Sequence, residues 1–157
     1  MEIRLARKSD AVLIADMSRR RVEHGLNWSW RGRRVLAMIR HAECSVIVAC
    51  EQGELMGFAI MEFHAVHSHL SLLAVERDVQ GQGIASKLLD WLTDSARVAG
   101  IEKIVLEVRC DNDRAISFYE NHGYQRQQTI EGYYQGRESA YRMCLQLMSA
   151  ETAAQRP

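Results

Sequence analysis

The sequence predicts an α/β domain on a central mixed sheet of about seven strands with about four helices. Three observations carry this expectation. Short apolar runs alternate with longer segments whose apolar residues recur at helical spacing, without internal repeats or a linker. Two dipeptides, Gln52-Gly53 and Gln135-Gly136, stand between strand-like runs where hairpin turns belong. The chain has 157 residues, 47% of them hydrophobic, which suits one domain with a sizeable core.

The elements follow in order. Glu2 to Arg7 alternates, with Ile3 and Leu5 on one face, as a strand does. Ser9 and Asp10 are candidate caps for a helix reaching about Arg21, with Val12, Leu13, Ala15 and Met17 as its apolar side. A second short helix is expected from near Arg31 to His41. Ser45–Glu51 and Leu55–His64 form a hairpin, and His69–Val75 is the next strand. From Gly83 to Ala99 the residues Ile84, Leu88, Trp91, Leu92, Ser95 or Ala96, and Val98 or Ala99 recur at helical spacing, and Gly100 ends the run. Strand Ile104–Arg109, helix Asp113–His122 and a last hairpin complete residues 1–148. Residues 149–157 are small and polar and are expected to fray.

The stretch Gln80-Gly81-Gln82-Gly83-Ile84-Ala85-Ser86 lies between a strand and a helix. At such a junction the first helical N–H groups have no partners inside the helix, and the helix dipole adds positive character. Glycines at positions 81 and 83 remove the Cβ atoms that would hold a phosphate away. The turn reads as a pyrophosphate cradle. A Walker string is absent, and Ser86 stands where a dinucleotide fingerprint needs its third glycine.

The letters match Q/R-x-x-G-x-G/A at Gln80, Gly83 and Ala85. Further on, the segment Asp111 to Tyr124 matches N-x-x-A-[I]-x-F-Y-E-x-x-G-[FY] through Asn112, Ala115, Ile116, Phe118, Tyr119, Glu120, Gly123 and Tyr124. With both segments in this order, the chain resembles the GNAT family of N-acetyltransferases from Ile3 to about Leu147. The resemblance implies the GNAT acyl-CoA N-acyltransferase fold, acetyl-CoA as cofactor and transfer of its acetyl group to a primary amine in a ternary complex. By the same resemblance, the backbone of Leu73-Ala74-Val75 would pair with the pantetheine arm. Asn112 and Ala115 would contact the pantetheine chain, and Tyr119 would protonate the departing thiolate.

Glu107 is a carboxylate inside the apolar run Ile-Val-Leu-Glu-Val, so it must face a cleft or solvent. The segment Leu106-Glu107-Val108-Arg109 resembles the protein N-terminal acetyltransferase subgroup, the bacterial ribosomal-protein alanine acetyltransferases among them, where this glutamate is the general base. Burial is expected to raise its pKa toward that task. The hairpin with Tyr133 and Tyr134 resembles the peptide-lining Y-Y hairpin of the same subgroup. The chain departs from the ribosomal-protein alanine acetyltransferases at Asn27-Trp28-Ser29-Trp30, where those enzymes have a single proline-tryptophan pair. Trp28 and Trp30 are therefore candidate walls of an acceptor pocket of different shape.

A peptide α-amine has a pKa near 8 against about 10.4 for lysine, so freeing lysine of its proton costs roughly 3 kcal/mol more. A single glutamate suits the first acceptor better, and a protein or peptide N-terminus is the favoured one. A small-molecule amine such as a polyamine or aminoglycoside is the alternative, and a non-catalytic acyl-CoA-binding regulatory module is a third reading.

Among the remaining signals, His64, His67 and His69 form H-x-x-H-x-H, but no thiolate or carboxylate accompanies them and no metal is expected. His69 is instead a candidate helper in removing the amine proton through water. The arginines at 19–21, 31, 33 and 34 read as a solvated basic face. A net charge of zero argues against general nucleic-acid binding, and the apolar runs are too short for a membrane span. No secretory signal pattern opens the chain, and four cysteines without a C-x-x-C pair suit reduced thiols. A cytoplasmic monomer or homodimer is the expectation.

Overall fold

In the computed structural model, which describes residues 1–148, strands and helices alternate much as expected. The order is β1 (Glu2–Leu5), α1 (Ala11–Arg21), α2 (Gly32–Arg40), β2 (Cys44–Glu51), β3 (Glu54–Phe63), β4 (His67–Val75), α3 (Ile84–Val98), β5 (Lys103–Arg109), α4 (Asp113–Asn121), β6 (Gln125–Tyr134) and β7 (Glu138–Gln146). The strands are ordered β1-β2-β3-β4-β5-β7-β6. β4 and β5 run parallel, whereas β1–β2, β2–β3, β5–β7 and β6–β7 are antiparallel, so the sheet is mixed. The tail expected at 149–157 lies outside the described residues.

The described residues gather into two compact units, residues 1–63 with 70–95, and residues 64–69 with 96–148. In the first, α1 and α2 close over β2 and β3 around Ile14, Met17, Val35, Val48, Phe58 and Ile60, all at most 1% exposed. Gln52 and Gly53 both have left-handed φ, 50° and 80°, which gives the β2–β3 hairpin the twist its strands require. At Gly57 of β3 an added Cβ would lie 2.9 Å from the Ala74 carbonyl oxygen, so only glycine fits that approach.

In the second unit, Ile104, Leu106 and Val108 alternate inward along β5. They are joined in its core by Ile116, Tyr124 and Met143. Gln135 and Gly136, at φ 56° and 71°, turn β6 into β7 in the same way as the first hairpin.

Three expectations need correction. The buried row of α1 is Ala11, Ile14, Ala15 and Ser18, with Met17, while Val12 and Leu13 are exposed. Residues 11, 14, 15 and 18 share a face by helical geometry, and Ser18 lies on it because its hydroxyl meets the buried Glu23 carboxylate at 3.4 Å. Likewise α3 buries Leu89 beside Leu88 and Leu92, leaving Trp91 39% and Val98 91% exposed. Finally, Asp10 does not cap α1: its carboxylate accepts the Arg7 N–H at 2.6 Å and both terminal nitrogens of Arg4.

Candidate active site

The glycine turn has the backbone its letters require. Gly81 and Gly83 have φ of 83° and 81°, and a Cβ built on either would meet nothing within 4 Å. α3 starts immediately after, and its early closed bond runs from the Lys87 N–H to the Gly83 carbonyl at 3.1 Å. The N–H groups before Lys87 therefore head the helix without intrahelical acceptors, facing a turn with room for an anion. Pyrophosphate fits this cradle.

The approach to the turn is held by charge. Glu76, directly after β4, receives the Arg20 guanidinium at 2.6 and 3.1 Å and lies 3.5 Å from Arg21 Nε. Arg20 also bonds Asp16 one turn back in α1. The Glu76 N–H donates to the Met56 carbonyl at 2.8 Å, and Gln80 Nε2 reaches the Val75 carbonyl at 3.4 Å. Part of the basic run taken as a solvated face is thus employed on this segment. Ala74 and Val75 are buried, and Leu73 is half-buried.

Glu107 is the centre of the second unit's polar cluster. Its side chain is 7% exposed. On the same face of the adjacent parallel strand, His69 pairs in register with Val105, two residues before Glu107. His69 Nε2 lies 3.0 Å from Oε1 and 3.1 Å from Oε2. The Tyr133 hydroxyl donates to Oε1 at 2.8 Å. Arg142, opposite Glu107 in the β5–β7 ladder, brings a guanidinium nitrogen to 3.7 Å.

This environment corrects the expected direction of the Glu107 pKa. Burial pushes the carboxyl up, but the hydrogen bonds from His69 and Tyr133 and the charge of Arg142 outweigh it. The net result is a carboxylate held below its ordinary value. Conversely, burial and the bond to Glu107 push the Tyr133 phenol up to about 12. Arg142 was not foreseen, because only the antiparallel register sets it against Glu107.

On α4, Tyr119 is buried, with its ring edge-on to Tyr124 at 5.4 Å between centroids. Burial raises its phenol well above the ordinary value, which keeps it protonated. Asn112 caps the helix by accepting the Ala115 N–H at 3.1 Å. Tyr134 packs edge-on against Tyr133, and burial raises its phenol too.

The tryptophan segment is organised by a residue the sequence did not single out. Glu23 is 6% exposed, and its carboxylate accepts the Ser29 N–H, the Ser29 hydroxyl and the Trp30 N–H. Trp30 is buried in the first unit's core, while Trp28 is half-buried with its indole N–H on the Ala15 carbonyl at 3.1 Å. Arg19 and Arg31 lie over the Trp28 ring, and Arg34 lies 3.6 Å from the Trp30 centroid. The rings are thus covered by guanidinium groups.

Elsewhere, His64 and His67 stack at 4.7 Å, and among the described residues no three potential ligands gather as a metal site. Cys44, Cys50, Cys110 and Cys144 are free thiols, each half-buried. A cavity of about 420 Å³ beside Arg4, Arg7 and Gly53 includes none of the expected site residues. No helix among the described residues is long and apolar enough to cross a membrane.

Known proteins resemble this arrangement. The profile of the acetyltransferase (GNAT) family matches residues 12–124, most of the chain. N-alpha-acetyltransferase 30 of Schizosaccharomyces pombe is 36% identical over 80 residues, 51% of this chain and 53% of that protein. The [ribosomal protein bS18]-alanine N-acetyltransferase of Escherichia coli is 35% identical over 98 residues, 60% of this chain and 66% of that protein. A crystal structure of the Escherichia coli ribosomal-protein-S18-alanine N-acetyltransferase matches with a TM-score of 0.81 and 28% identity over 95% of each chain. A Salmonella typhimurium acetyltransferase solved with its cofactor acetyl-CoA, yncA, matches at 0.80 and 25% identity, also over 95% of each chain. The chain belongs to the GNAT acetyltransferase family. Its matches span about half to two thirds of the length of these two curated relatives.

Proposed function

We propose that this chain is an N-acetyltransferase that moves the acetyl group of acetyl-CoA to the N-terminal α-amine of a protein or peptide. The observation that carries the reading is the Glu107 carboxylate, buried on β5 and met by His69, Tyr133 and Arg142. It serves as the general base that takes the amine proton, and a single carboxylate is an adequate base for an α-amine near 8 and a poorer one for a lysine near 10.4. One curated relative is named an N-alpha-acetyltransferase and the other a [ribosomal protein bS18]-alanine N-acetyltransferase, which supports the same acceptor, and a ribosomal protein's N-terminus is the first to try.

Acetyl-CoA, when bound, supplies an activated acetyl thioester. The N–H groups of residues 81–86 cradle its pyrophosphate, with Gln80 at the turn's entrance. The backbone of Leu73, Ala74 and Val75 orients the pantetheine arm. Asn112, its oxygen spent on the Ala115 cap, offers its amide nitrogen to the same arm. Tyr119, its proton held firmly by burial, protonates the departing sulfur. Tyr133 and Tyr134 line the peptide side.

The test is release of coenzyme A thiol with short peptides bearing free N-termini, run beside Nα-blocked lysine peptides and polyamines. Turnover confined to free N-termini and lost in Glu107→Gln, with acetyl-CoA binding retained, is the expected result. Turnover only with polyamines would overturn the acceptor class. Binding without any turnover would favour a regulatory module.

A further inference from the structure

Three arginines stand where elementary electrostatics would not put them. Arg31 is the N-cap of α2, and Arg33 and Arg34 lie in its first turn, which holds no acidic residue. The N-terminus is the positive end of the helix dipole, so cations there are destabilising and an acid would be favoured. No Asp or Glu occurs between positions 24 and 42. Glu23, just before, is buried with its carboxylate spent on Ser29 and Trp30. Arg31, Arg33 and Arg34 are exposed, and among the described residues none of them forms an ion pair.

Aromatic rings hold these charges in place. The Arg31 guanidinium lies 4.7 Å from the Trp28 centroid, and that of Arg19 lies 5.3 Å from the same point. Arg34 lies 3.6 Å from the centroid of Trp30. A stacked guanidinium has lost rotamer freedom already, and its N–H edge remains for an outside acceptor. The platform beneath is fixed by the Trp28 bond to the Ala15 carbonyl and by the Glu23 bonds to Ser29 and Trp30. Two guanidinium groups over one ring repel each other. Arg19 has a carboxylate partner in Asp16, but Arg20 claims the same side chain. An anion arriving from outside relieves that repulsion. We propose that Arg19, Arg31, Arg33 and Arg34, on α1 and at the start of α2, form a docking surface for an acidic polypeptide segment.

Carboxylates on a flexible chain suit this face better than a nucleic acid does. Each guanidinium fork can give two parallel bonds to one carboxylate. Single-stranded nucleic acids gain affinity by stacking bases on open aromatic faces, and here Trp28 and Trp30 already carry guanidinium groups. Their phosphates also reward a positively charged protein, whereas this chain has a formal net charge of zero. A polypeptide with a few Glu or Asp residues meets the local charges at contact and needs no long-range field.

The probe is a short peptide alternating Glu and Gly, blocked at its N-terminus and carrying a fluorophore, with the Gln-Gly peptide as its neutral match. Anisotropy with the full chain at low ionic strength should show saturable binding of the Glu peptide, none of the Gln peptide, and falling affinity as salt rises. Arg31→Gln combined with Arg34→Gln should weaken binding about tenfold. Those two arginines also pack on the indoles, so Arg33→Gln is the second variant. Its side chain is exposed, and it should weaken binding about threefold with the melting temperature unchanged. Arg126→Gln is the control, a guanidinium stacked on Tyr141 but paired with Glu120, and it should bind as the wild type does. No binding of the Glu peptide, or binding unchanged in both Arg33→Gln and the double variant, would overturn the proposal. A short oligouridylate RNA that binds more tightly than the Glu peptide would overturn it too, in favour of a nucleic acid. None of these readouts needs turnover, so the docking surface and the acetyl-transfer reading fail separately.

Discussion

Arg20 binds Glu76 with two guanidinium nitrogens, at 2.6 and 3.1 Å, tying the last turn of α1 to the residue that leads from β4 into the glycine turn. Asp16 holds the same guanidinium from the preceding turn. The arrangement braces the entrance of the proposed phosphate cradle.

Removing that brace should loosen cofactor binding more than chemistry. Arg20 is 38% exposed, so the pair is worth up to about 1 kcal/mol, or about fivefold in affinity. For Arg20→Ala we expect KM for acetyl-CoA to rise by up to that factor, with kcat within twofold. Steady-state kinetics at varied acetyl-CoA would check it, and an unchanged KM would show that the turn needs no brace.

Gly83→Ala should damage the cradle twice. At φ 81° an alanine costs about 1–2 kcal/mol of stability, and its Cβ enters the open space proposed to hold phosphate. Gly53→Ala is the matched control, with φ 80° and the same open surroundings in the β2–β3 turn. Both variants should melt at similarly lowered temperatures. Only the first should lose affinity for acetyl-CoA, by about tenfold or more, as measured by calorimetry.

Tyr119→Phe removes one hydroxyl and little volume, so the fold should hold to within about 1 kcal/mol. We expect kcat to fall about a hundredfold with acetyl-CoA affinity nearly unchanged. Because burial raises the phenol's pKa, no alkaline limb from Tyr119 should appear in the wild-type profile below about pH 10. Full activity in the phenylalanine variant would assign the thiolate's proton to another donor.

Asp10 offers a stability test with a defined sign. Burial raises its pKa, but the Arg4 and Arg7 bonds more than offset that, so the folded value lies below the unfolded one. Its contribution is therefore complete above about pH 4 and lost as pH falls through the depressed folded value. Asp10→Asn should cost about 1–3 kcal/mol at pH 7. Urea unfolding should show that gap narrowing below pH 4, and a gap independent of pH would reject the ion-pair account.

Much of the sheet was legible because its signals are local. Gln52-Gly53 and Gln135-Gly136 mark their hairpins through left-handed backbone that few other dipeptides adopt readily, and alternation along Ile104–Val108 marks β5. Helix faces were harder. Val12 and Leu13 are apolar yet exposed, and Ser18 is polar yet buried, because Glu23 is buried beside it. Nothing near position 23 in the sequence distinguishes a buried carboxylate from a surface one. The Glu107 cluster was legible as a residue but not as a cluster. Its partners arrive from β4, β6 and β7, and their registers are long-range facts. For the same reason the direction of its pKa is not legible: burial alone is visible from an apolar run, and the His69 and Tyr133 bonds and the Arg142 charge are not.

Glu23 grips the backbone N–H groups of Ser29 and Trp30, together with the short Ser29 side chain. Two of its four bonds, counting the one from the Ser18 hydroxyl, are thus indifferent to which side chains occupy the intervening loop. The clasp therefore fixes where the loop after α1 rejoins the core without reading the side chains between, and Gly25, at φ 77°, supplies the bend that lets the chain return to it.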